Sequence, residues 1–185
     1  GGGGGGGGGG GVWGGGGRGR PRLAAGGAAF DCGPAGIVFE DAGRPDNRVG
    51  YAILGDGYTE DLLDTLFVAH IENMLYGTNG YLSELGQPYG RYRNYVNICA
   101  LKVASNDACI DDDDTGQRCD TAFDGSGDDA SRLGVVNRDA VRDAIAALMP
   151  QHVDVDWTAV TINAGPTNWW NSGGSVMVWN GSFTP

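Results

Sequence analysis

Hydrophobic and polar positions change period several times along the chain, and each change marks an element. Residues 48–54 are largely apolar and run into Gly55-Asp56-Gly57, the pattern of a buried strand ending in a turn. Leu62, Leu63, Leu66, Phe67, Ala69, His70, Met74 and Leu75 then recur at helical spacing. Thr59 suits the N-cap, Glu60 and Asp61 suit the positive end of the helix dipole, and Gly77 suits the stop. A second strand is expected over 95–101, a second helix over 137–149 ended by Pro150, and further strands over 157–163 and 175–179. Structure is expected to begin near Phe30 and Ile37-Val38-Phe39, with a turn over 43–47. A polar loop, 107–129, carries nine Asp and separates the second strand from the second helix. The resulting order, β-α-β-acidic loop-α-β-β, predicts an α/β layered domain with mostly buried strands.

Composition divides the 185 residues into two materials. Residues 1–30 hold 18 glycines and Arg18, Arg20 and Arg22 with no acid, so the remainder carries 9 basic and 23 acidic groups, a charge of -14. The tail, 1–29, buries too little apolar area to offset the entropy of ordering glycine and is expected to be disordered. Residues 30–185 suffice for one domain with a core. So acidic a body repels phosphate backbones, which argues against nucleic acid as a partner. No apolar run reaches the ~20 residues of a membrane span, and no leader peptide is legible at the glycine start, which suggests a fragment.

Chemistry concentrates at Gly55-Asp56-Gly57-Tyr58-Thr59. Two glycines flanking an Asp at a strand-to-helix corner permit close backbone approach and let the carboxylate accept amide hydrogen bonds. This segment resembles the signature of the zinc metallopeptidases typified by the IgA-cleaving bacterial peptidase. Three further segments are similar in the same order: Tyr92-Arg93-Asn94-Tyr95-Val96-Asn97-Ile98, Asp120-Thr121-Ala122-Phe123, and Asn171-Ser172-Gly173-Gly174. The resemblance covers about Asn47 to Gly174 and implies a zincin-like mixed sheet with packed helices that hydrolyses peptide or protein substrates.

The family's His-Glu-x-x-His helix, in which two imidazoles one turn apart hold zinc and the glutamate activates water, is missing. Only His70 and His152 are present. The resemblance places that helix in the remainder of the chain beyond Pro185, so zinc belongs to the complete protein and these residues alone are expected to be inactive. Within them, Ser175, Val176, Met177 and Val178 are the candidate strand beside the substrate cleft, where an open edge would pair with extended peptide. Their role would be positioning, and no residue is assigned as catalytic.

Other candidates stand apart from the resemblance. His70 on an apolar helix face reads as a packed residue, and His152 after Pro150 as a surface turn residue. Asp111, Asp113, Thr115 and Gly116 occupy positions 1, 3, 5 and 6 of a calcium-loop pattern whose twelfth position is Ala122 instead of Glu, giving at most a weak calcium site. Cys109 and Cys119 bracket the Asp tract and would pair, leaving Cys32 for Cys99; no Cys-x-x-Cys supports a zinc knuckle. Disulfides and the sequon at Asn180 point to a secreted or extracellular glycoprotein. Adjacent indoles Trp169 and Trp170 in a polar loop allow a carbohydrate-binding module. The main alternative to a peptidase is a non-catalytic structural or adhesive module, cation-binding through the Asp-rich loop.

Overall fold

The computed structural model describes residues 29–78, 80–83, 88–165, 170–171 and 176–181, the side chains of residues 170, 171 and 180 excepted. The Gly-rich tail, apart from Ala29, lies outside the described residues. A six-stranded sheet has the order β1-β3-β2-β7-β9-β8, formed by Gly36–Glu40 (β1), Val49–Asp56 (β2), Val96–Leu101 (β3), Trp157–Ile162 (β7), Trp170–Asn171 (β8) and Met177–Asn180 (β9). β3, β2, β7 and β9 are mutually parallel, and β1 and β8 close the two sides antiparallel. The molecule is an α/β fold with a mixed sheet.

Alternation along the strands sorts side chains onto two faces. Ala52, Leu54, Cys99, Leu101, Val160, Ile162, Val176 and Val178 face the layer built by helix α2 (Arg138–Leu148) and the Cys32 segment. Ile53, Ile98, Ala100 and Ala159 face helix α1 (Val68–Tyr76), which contributes Ile71, Met74 and Leu75, with Leu63 and Phe67 from the turns before it. A helix on each face explains why β2 and β3 read as nearly continuous apolar runs.

The expected helices form with one difference. Asn137 caps α2 by accepting the Ala140 N–H at 3.2 Å. Thr59 does not cap: its hydroxyl donates to Asp61 at 2.7 Å, and the chain passes through a 3-10 turn (Glu60–Leu62) and a π turn (Leu63–Phe67) before α geometry begins at Val68. The acidic stretch is more ordered than a loop. Asp111–Asp112 (β4), Ser126–Gly127 (β5) and Gly134–Val135 (β6) make a second, three-stranded sheet, anchored to the main core by buried Ile110 and Phe123. Disulfides join Cys32 to Cys99, tying the first residues of the body to β3, and Cys109 to Cys119, closing the Asp tract.

Candidate functional site

β2 connects through α1 to β3 on one side, and the chain then returns through α2 to β7 on the other. The strand order reverses beside the carboxyl end of β2, where open α/β sheets commonly bind ligands. Gly55-Asp56-Gly57-Tyr58 occupies that point. Asp56 is fully buried and Gly57 sits at φ +75°, where a side chain is strained and a Cβ would meet the Cys109 carbonyl oxygen at 2.5 Å.

The Asp56 carboxylate is held by the Asp-Thr-Ala-Phe stretch together with Ser105. One oxygen accepts the Phe123 N–H at 3.0 Å and the Ser105 hydroxyl at 3.4 Å; the other accepts the Thr121 hydroxyl at 3.2 Å. Ser105 in turn accepts the N–H groups of Gly57 at 2.9 Å and Ala122 at 3.1 Å. Asn163, just after β7, donates to the carbonyls of Gly57 at 2.9 Å and Ala108 at 3.3 Å. Burial pushes the Asp56 pKa up, and the hydrogen bonds from Phe123, Thr121 and Ser105 pull against it. Two segments 60-odd positions apart in sequence are thus one buried polar junction, and the acidic subdomain fills the crevice at the strand-order reversal.

Tyr58, also fully buried, points its hydroxyl to His70 Nδ1 at 2.7 Å and Thr161 Oγ1 at 3.3 Å. Burial raises the Tyr58 pKa and lowers that of His70, so both are neutral near pH 7. Gly181, leaving β9, lies directly over this pair: a Cβ there would collide with His70 Nδ1 and stand 2.5 Å from the Tyr58 oxygen. The Tyr-Arg-Asn-Tyr-Val-Asn stretch does structural work at the other end of the sheet. Arg93 pairs with Glu40 at 2.6 Å and lies over the Tyr76 ring, whose hydroxyl donates to the same carboxylate at 2.6 Å. Buried Asn97 accepts the Ala42 N–H and donates to the Gly43 carbonyl, each at 2.8 Å.

Other expected sites are placed differently. Val176 and Val178 are buried in the α2-side core, and Met177 packs in the α1-side layer, with the Tyr81 hydroxyl 3.8 Å from its sulfur. Neither valine faces a cleft, because the parallel pairing with β7 directs both into the core. Nor is β9 an open edge: β8 pairs with it through Trp170↔Trp179 and Asn171↔Val178. The edge on that side belongs to β8. Ser175 and Trp169 lie outside the described residues, as do the side chains of Trp170 and the sequon residue Asn180.

Asp111 and Asp113 turn toward Arg118, at 3.7 and 3.0 Å, and Asp111 also accepts the Cys119 N–H at 2.7 Å. Thr115 Oγ1 accepts the Gln117 N–H at 3.4 Å instead of joining them. Both carboxylates thus face the Arg118 guanidinium. His152 reaches the Ala29 carbonyl at 3.3 Å and Asp31 at 3.4 Å. Among the described residues, no three His, Cys, Asp or Glu side chains converge as metal ligands, so they do not by themselves fit a zinc ion. Ser105, Thr161, Asn163 and Glu40 were not anticipated. Thr161 could have been suspected as a polar residue in an apolar strand, whereas Ser105 follows β3 with no periodic signal.

No family model matches the chain, and no curated protein is significantly similar to it.

Proposed function

We propose that this chain is the sheet-bearing portion of a secreted peptidase of the zinc metallopeptidase type, with the zinc-binding helix contributed by chain beyond Pro185. The observation that carries this reading is the junction at Asp56. The Gly-Asp-Gly-Tyr and Asp-Thr-Ala-Phe segments, which bear the family resemblance, are bonded to each other through a fully buried carboxylate. Two disulfides accord with secretion. Among the described residues, no helix is long and apolar enough to cross a membrane. An extended substrate would add to the sheet at β8, whose backbone pairs with β9 alone among the described strands.

A second reading, a non-catalytic extracellular module, is favoured by one specific observation: Asp56 and Tyr58 spend their side-chain oxygens, and His70 its Nδ1, on internal partners. Both readings are separated by purifying the native gene product, measuring its mass and zinc content, and incubating it with a peptide library. A product extending past Pro185, holding one zinc per chain and cleaving peptides in a chelator-sensitive manner, supports the peptidase. An intact native product with neither zinc nor cleavage overturns it in favour of the module.

A further inference from the structure

We draw no further inference here: the strongest candidate, the exposed aromatic patch that Tyr89, Tyr92, Tyr95 and Trp157 form at the end of the sheet where β3 and β7 begin, carries nothing because nothing in the structure shows what covers it.

Discussion

Replacing Asp56 separates the work done by its hydrogen bonds from the work done by its charge. In Asp56→Ala the Phe123 N–H and the Ser105 and Thr121 hydroxyls lose their acceptor inside the fold. Each unsatisfied buried group costs about 1–3 kcal/mol; the hydroxyls can rotate to other acceptors and the amide cannot, so a total of about 3–5 kcal/mol is expected. Asp56→Asn keeps one oxygen for the Phe123 N–H and turns its amide toward Thr121, whose hydroxyl oxygen can accept. That variant also removes a carboxylate whose ionisation burial opposes. Its cost should stay near or below about 1 kcal/mol. The pH dependence gives a second reading. The folded pKa is raised above the ordinary 3.8, so the Asp56 contribution is fully present below 3.8 and is lost as pH rises through the folded value. Wild type minus Asp56→Asn should therefore grow more favourable on acidification across that window. Urea denaturation of both variants from pH 3 to pH 8 supplies the measurement. An Asp56→Asn variant as damaged as Asp56→Ala, or a difference that shrinks in acid, would refute the account and show that the negative charge itself is required.

Three further outcomes follow from neighbouring contacts. Cys32→Ser with Cys99→Ser opens a loop with sequence separation 67 and should cost about 4 kcal/mol, against about 3 kcal/mol for the Cys109–Cys119 pair with separation 10, measurable as two unequal shifts in urea midpoint. His70 has its pKa lowered by burial, so its contribution is present above the ordinary 6.5 and fades as pH falls through the folded value; His70→Gln should flatten that part of the stability profile. Gly57→Ala forces a side chain into the left-handed region and against the Cys109 carbonyl, and should cost at least about 1–2 kcal/mol in the same denaturation assay.

Long-period features were legible and short ones were not. β2, β3, α2 and β7 each carry enough consecutive apolar or helix-periodic residues to announce themselves, and the two disulfides join the cysteines that spacing had paired. The second sheet escaped because strands of two residues, as at Asp111–Asp112, have no period to detect, and nine Asp obscure the two apolar anchors, Ile110 and Phe123. β9 was found as a strand, but its neighbours were not, since pairing is a tertiary fact: a two-residue β8 converts an apparent edge into an interior strand. The site was legible only in part for a related reason. Asp56 and Thr121 were each noticed in separate segments, while Ser105, which bonds to both Gly57 and Ala122, has no local pattern and owes its importance to where the fold puts it.

The filled crevice bears on where chemistry could occur. At the strand-order reversal an open α/β sheet would ordinarily leave room for a ligand, yet here Asp56, Ser105 and Asn163 are bonded to the segments that cover it. Opening that crevice would expose Ile110 and Phe123, both 2% exposed, and forfeit their hydrophobic burial of roughly 1.5–3 kcal/mol apiece together with the Asp56 bonds. A substrate gains too little from one pocket to offset such losses routinely. Strand pairing at a side of the sheet would carry no such penalty, because it would leave the core closed. On this argument the Asp56 junction is a rigid support of the fold.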